Sequence, residues 1–285
     1  MATSNINPAR IDHQAGYAAH RAATSPWAKG LARAGYATRG VIYLLIGVFA
    51  ARASIGSGSP TDRKGALLAI YHEPFGTVLL AIIAVGLVGY ALWHVIRALV
   101  DPEGKGTDAK GLITRAAYLG IAISYGALAA AVIRLLSGTG STGKSSDATA
   151  QDWTATLLSK PFGVGLVVLV GVIVLIIAGV LYVQAWTARF ERSLNLGMAG
   201  EKRKGIVMLG RVGYAALGFV FTVIGIFLIV AALHHNPHQA RGIGGTLVLL
   251  AQQPFGQLLL LLVALGLVAY GIYSFAEARY HRIGI

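Results

Sequence analysis

The sequence contains no cysteine, which excludes disulfide frameworks, thiolate metal ligands and cysteine nucleophiles but says nothing of compartment. Charge is also scarce. Only 12% of the residues are charged, where soluble domains carry about 25%. Acidic residues are the rarest, 11 Asp and Glu against 24 Lys and Arg, a net charge of +13. Apolar residues fill the space, at 55% hydrophobic with a mean hydropathy of +0.66. Such a chain reads as an integral membrane protein, and its basic excess points to loops on an anionic leaflet rather than to nucleic acid. No cofactor is expected either, because the sequence has no Walker loop, no dinucleotide fingerprint in a strand-helix context and no paired haem-ligand histidines within its spans.

Six stretches are long and apolar enough for a bilayer core of about 30 Å: near 34–53, 75–97, 113–136, 162–186, 212–233 and 255–276. Six spans leave both termini on one side. The N-terminal segment through Arg39, the connections at 97–115 and 187–211 and the tail hold 17 of the 24 Lys and Arg, among them Lys202, Arg203 and Lys204 of the run that starts at Glu201. The positive-inside rule therefore predicts a multi-pass plasma (inner) membrane protein with cytoplasmic N- and C-termini. Residues 1–32 read as a disordered basic arm whose Arg10, His20, Arg21 and Lys29 can rest on headgroups. The run through Phe49 to Ala51-Arg52-Ala53 resembles a signal peptide with its cleavage site, but the same segment recurs twice as an internal helix.

That recurrence organises the chain. Three units open with Arg-x-x-Tyr: Arg33 to Tyr36, Arg115 to Tyr118 and Arg211 to Tyr214. Small residues follow seven apart, Gly40 and Gly47, Ala122 and Ala129, Gly218 and Gly225, with Tyr43, Tyr125 and Phe221 between them. At that spacing they share one helix face, where small side chains let backbones approach. Each second helix begins with Pro-Phe-Gly: Pro74-Phe75-Gly76, Pro161-Phe162-Gly163 and Pro254-Phe255-Gly256. Proline suits a first helical position because its missing N–H would be unpaired there. Upstream of each lies a stripe (Leu67, Ile70 and Tyr71; Thr154, Leu157 and Leu158; Leu247, Leu250 and Ala251) that predicts a two-turn helix on the outer interface. The expected fold is all-α: six transmembrane helices as three tandem hairpins, 33–111, 112–204 and 205–285, in one pseudo-threefold bundle. A linear row of hairpins is the alternative.

Three tandem Arg-x-Gly-Tyr…Pro-Phe-Gly hairpins over roughly 31–283 resemble the bacterial membrane family catalogued as domain of unknown function 1206. The resemblance implies a bacterial inner membrane and three repeats, and brings no reaction, substrate or cofactor with it. The middle unit departs from the pattern, with Ala117 in place of the glycine before the tyrosine and a Gly/Ser/Thr-rich linker from Ser137 to Ser146 that reads as flexible and solvated.

Few residues suggest chemistry. Arg33, Arg115 and Arg211 stand where guanidinium groups can pair with lipid phosphate, as a basic collar or as snorkelling anchors beside an aromatic belt of Tyr36, Tyr118 and Tyr214. Arg39 breaks the repeat, since Ile121 and Leu217 hold the equivalent positions. Its best partner is Glu277, in the slot where the other units have Arg97 and Gln184. A structural salt bridge, an unpaired snorkelling arginine and a gating role are all open readings. His94 reads as an interface anchor or a satisfied core residue. The run His234-His235-Asn236-Pro237-His238 lacks metal-site spacing. Ser124 and Thr222 have no nearby base at recognisable spacing, and His72-Glu73 and Lys160 are not repeated in type. The midplane reads as nearly all Leu, Val, Ile, Ala and Gly.

The expected function is therefore that of a non-enzymatic accessory, scaffold or lipid-interacting membrane component. Its partners would be anionic headgroups at the cytoplasmic face and another membrane protein or a second copy of the chain. The alternative is a small-solute or ion transporter or channel along the pseudo-threefold axis.

Overall fold

The computed structural model describes residues 26–102, 104–139, 144–194 and 201–281. They form nine α-helices that repeat one pattern three times: a long helix, a short helix, a long helix. The first unit has α1 (Pro26–Ser54), α2 (Arg63–Tyr71) and α3 (Gly76–Leu99); the second has α4 (Ala109–Leu136), α5 (Ser146–Leu158) and α6 (Gly163–Thr187); the third has α7 (Glu201–Leu233), α8 (Ile243–Ala251) and α9 (Gly256–Tyr280). The six long helices are apolar enough to cross a membrane, and no strand occurs among the described residues. A 3-10 turn, Arg189–Ser193, follows α6.

α1 starts earlier than the sequence suggests. Residues 26–32, assigned above to a disordered arm, are helical because they have something to pack on: Ala32 is buried against Trp93, and Leu31 lies over Gly89 of α3. The arm's Arg10, His20 and Arg21 lie outside the described residues, as do 140–143 of the middle linker. The end of that linker is docked rather than free, since the Ser146 N–H donates to Asp62 of the first unit.

Around the bundle the spans run α4, α3, α1, α9, α7, α6. Two kinds of joint alternate. Between units, the small-residue face of each first span meets the second span of another unit. A methyl group at Gly47 would fall 2.8 Å from the Val268 backbone nitrogen on α9, Gly218 and Gly225 face Tyr182 and Leu175 on α6, and the buried Ala122 and Ala129 lie on the helix packed against α3. Within units, the glycine of Arg-x-Gly-Tyr meets a tyrosine: a methyl at Gly35 would fall 2.8 Å from the Tyr90 Cα, and at Gly213 2.6 Å from the Tyr270 Cα. Only glycine allows this within-unit approach.

The middle unit has Ala117 and Ile177 at those positions, and both are exposed. α4 and α6 do not pack along their described length. The expected pseudo-threefold ring is therefore present with five closed joints and one open one, and α6 is the least buried span.

Pro-Phe-Gly works differently from a helix-start proline. The helices begin at the glycines, and the prolines sit two positions earlier, in a turn closed by Gly76 N–H to Glu73 C=O at 2.8 Å, Gly163 to Lys160 at 2.9 Å and Gly256 to Gln253 at 2.7 Å. Proline presets the first turn position. The phenylalanines take the second in left-handed backbone, with φ of 64°, 60° and 59°, as in a type II turn. Their rings are 86%, 91% and 87% exposed. The glycines are required by space, because a Cβ on any of them would strike the carbonyl oxygens of Ile70, Leu157 or Leu250 at the end of the preceding short helix.

Two of the short helices, α2 and α8, are partly sunk between the spans, whereas α5 lies at the surface, with Thr154 its one buried residue and Trp153 exposed. Arg63, the first residue of α2, reaches Ser124, whose short side chain sits twelve residues, about 18 Å of helix, before the end of α4. α8 is buried along most of its length, and Leu67, Ile70, Leu247 and Leu250 of the predicted stripes belong to the main core. Backbone breaks at such depth are tolerated only where protein satisfies them.

Candidate functional site

Two carboxylates provide that satisfaction. Asp62 Oδ1 accepts from Gly65 N–H at 2.8 Å, an ordinary N-cap of α2, while Oδ2 accepts from Ser146 N–H at 2.6 Å at the start of α5. Burial alone would raise the Asp62 carboxyl, but the N–H groups of Gly65 and Ser146 hold it below the usual carboxylate range. α8 has Gly242 at its N-cap and no capping side chain. Asp147 of α5 supplies the cap from outside, accepting from Gly242 N–H at 2.6 Å and Gly245 N–H at 3.0 Å. The three units are thus tied together by two acids at the end of the bundle that carries the short helices.

A column of aromatic rings descends from there. Tyr43 packs edge-on against Tyr270 at 4.9 Å, Tyr90 against Tyr125 at 4.6 Å and Tyr36 at 5.4 Å, and Tyr214 against Tyr270 at 5.4 Å. Tyr36 is only 2% exposed. The expected lipid-facing belt of Tyr36, Tyr118 and Tyr214 is instead turned inward: Tyr118 holds Arg97, accepting from Nη2 at 2.8 Å with the guanidinium 3.9 Å from its ring centre. The interior is accordingly more polar than the midplane composition suggests.

Arg39 and Glu277 meet in this column as a buried salt bridge. All three guanidinium nitrogens of Arg39 are engaged: Nη2 with Glu277, Nη1 with the Tyr90 hydroxyl at 2.9 Å and Nε with Ser274 Oγ at 3.2 Å. Its carbon lies 5.1 Å from the Tyr36 and Tyr270 ring centres. The slot shared by Arg97 and Glu277 has one use in both units, since each residue reaches the first span of another unit.

Arg63 is the second interior cation. It donates to the Tyr43 hydroxyl at 3.0 Å and to Ser124 Oγ at 3.2 Å, and lies over Tyr43 and Tyr125. The sequence reading missed it, although the signal was the one that exposed Arg39: eleven residues before each Pro-Phe-Gly proline the chain has Arg63, Ala150 and Ile243. Ser124 therefore bonds a side chain of another unit, and Thr222 bonds both its own backbone at Gly218, at 2.9 Å, and the Tyr182 hydroxyl of another unit, at 3.4 Å.

The three aligned arginines do not form one collar. Arg33 is exposed. Arg115 is turned to the end of α3, donating to the Ala98 and Leu99 carbonyls at 2.6 and 3.1 Å. Arg211 lines an apolar groove of about 890 Å³ beside α6 and α7, with Tyr182, Val183, Trp186, Met208 and Val212. Thr187 joins that groove to a polar cavity of about 500 Å³ lined by Arg189, Arg192, Arg203 and Glu191. Arg203 is paired with Glu191 at 2.5 Å.

Two of the candidate histidines are occupied. His94 Nδ1 bonds the Tyr90 carbonyl at 2.9 Å, and His234 bonds Gln239 at 2.9 Å. No metal-holding group of side chains occurs among the described residues.

The three helix-helix-helix units coincide with three matches to the family described as Domain of Unknown Function (DUF1206), at residues 34–101, 116–188 and 212–281. The chain belongs to the DUF1206 family. It is also similar to a Bacillus subtilis (strain 168) protein described as uncharacterized protein YxxB, 35% identical over 261 residues, covering 91% of this chain and 94% of that protein. No solved structure matches it.

Proposed function

We propose that the protein is a non-enzymatic, lipid-interacting component of the bacterial inner membrane, with its basic face and both termini in the cytoplasm. The observation that carries this reading is the paired cavity at the α6–α7 edge: an arginine-lined chamber joined at Thr187 to an apolar groove. One end matches an anionic headgroup and the other an acyl chain. Arg211, at the groove, and Arg189 and Arg192, at the chamber, are the headgroup ligands. Two features weigh against the other readings. Arg39 has no free nitrogen to offer a passing solute, and neither Ser124 nor Thr222 has a base in hydrogen-bond reach among the described residues.

Native mass spectrometry of the full chain, released from its own membrane in native lipid discs, tests the proposal. Retained anionic phospholipid that is lost in Arg189→Gln/Arg211→Gln supports it. A stoichiometric membrane-protein partner would move the reading to an accessory subunit, and solute flux in liposomes would overturn it.

A further inference from the structure

Arg63 lies well inside the bundle, away from the paired cavity at the end of α6, and its hydrogen bonds do not balance. A guanidinium carries five N–H donors, and a hydroxyl both donates and accepts. Arg63 gives one bond to Tyr43 and one to Ser124. Its buried Nε has no partner. Both hydroxyls accept from Arg63, and among the described residues neither donates its own proton. No carboxylate joins the group: the adjacent Asp62 is turned to Gly65 and Ser146, and Glu277 is taken by Arg39. The cluster therefore holds a positive charge and five unclaimed donor hydrogens, three on the guanidinium and two on the hydroxyls, with no anionic acceptor, between membrane spans. Buried charge and buried donors are costly unless paired. What is missing is an anion with several acceptor oxygens.

The way in is equally specific. Arg63 is half-buried rather than sealed, and Ser124 is exposed although it faces Arg63. This is the side on which α4 and α6 fail to pack. The bounding helices are apolar at this depth, with Ile123 and Ala127 exposed on α4 and Ile177 and Val180 on α6. An anion arriving this way comes from the bilayer and carries a tail.

We propose that Arg63, with the Tyr43 and Ser124 hydroxyls, binds the phosphate headgroup of a membrane lipid that enters sideways between α4 and α6 and leaves its acyl chain between them. Both oxygens of one phosphate edge can face the guanidinium fork, and the two hydroxyl protons turn onto the same group. This site is separate from the α6–α7 cavity and stands or falls without it.

The test uses the full chain, stripped of lipid in neutral detergent, then titrated with phosphatidic acid, diacylglycerol or inorganic phosphate and read by native mass spectrometry and thermal unfolding. The expected result is that wild type binds phosphatidic acid at two sites, that Arg63→Gln loses one and that Arg189→Gln/Arg211→Gln loses the other. If the α6–α7 reading fails, wild type binds one lipid and Arg63→Gln none. Ser124→Leu, at an exposed position, serves as the second variant should Arg63→Gln not fold, and should weaken binding at least tenfold. The proposal is overturned if folded Arg63→Gln or Ser124→Leu binds as many lipids as wild type, if diacylglycerol binds as tightly, or if inorganic phosphate alone gives the same thermal protection.

Discussion

The Asp147 carboxylate accepts a 3.0 Å hydrogen bond from Gly245 N–H, the same bond that Asp62 makes to Gly65 within its own helix. One unit thus caps the short helix of another. N-cap acids contribute about 1 kcal/mol each. Asp147→Ala should lower stability by about that amount, read as a lower unfolding midpoint in detergent. The pH dependence has a definite sign. The Asp62 carboxyl is held below its ordinary value by Gly65 and Ser146, so its contribution is present above an unfolded pKa of about 3.9 and is lost as pH falls from there through the folded value. Asp62→Asn should remove that acid-side loss from a thermal melt series, and an unchanged profile would place the titration elsewhere.

The Arg39–Glu277 bridge should behave as a buried pair. Breaking one side strands a charge and costs about 3–5 kcal/mol, whereas replacing both partners by apolar groups is often close to neutral. Glu277→Gln should therefore be far more damaging than Arg39→Leu/Glu277→Leu. Chemical unfolding of the three proteins decides the matter, and equal losses would show that the pair is not coupled.

Glycine substitutions should separate joints from open surface. Gly35→Ala and Gly213→Ala push a methyl into Tyr90 and Tyr270, and overpacking of this kind costs about 1–3 kcal/mol. Gly120 and Gly126 have nothing within reach, so alanine there should be neutral or slightly stabilising. Thermal midpoints of the four variants give the comparison.

The open joint should be repairable. Ala117→Gly with Ile177→Tyr restores in the middle unit the glycine-tyrosine approach of the other two. It should draw α4 and α6 toward the about 8–10 Å separation of packed helices. The lack of native cysteine allows paired spin labels on these two spans, and an unchanged distance distribution would assign the opening to another cause.

Spans, units and the glycine seams were legible in the sequence because each is a periodic property of one chain segment. The Arg39–Glu277 contact was legible for a related reason: a charge that breaks a repeat must find a partner, and one carboxylate stood at the matching level. Tyr36 was misread because a tyrosine near a span end suits an aromatic belt or an interior equally well, and only packing decides. The links from Asp62 to Ser146 and from Asp147 to Gly242 and Gly245 escaped because backbone N–H groups far away in sequence leave no trace in residue type. The prolines were placed one turn feature too late, since Pro at the first helical position and Pro at the second residue of a turn leave the same three-letter pattern.

Phe75, Phe162 and Phe255 have a consequence at the scale of the whole molecule. Each ring is carried by left-handed backbone that costs an L-residue about 1–2 kcal/mol, and each is thrust outward at the same level of its unit. Three such points define a plane. Seated in a bilayer interface, the three rings would act as a tripod, setting the tilt of the bundle through the turns rather than through the lengths of its spans. Because the middle foot belongs to the unzipped unit, a movement of α6 relative to α4 would shift one foot and not the other two.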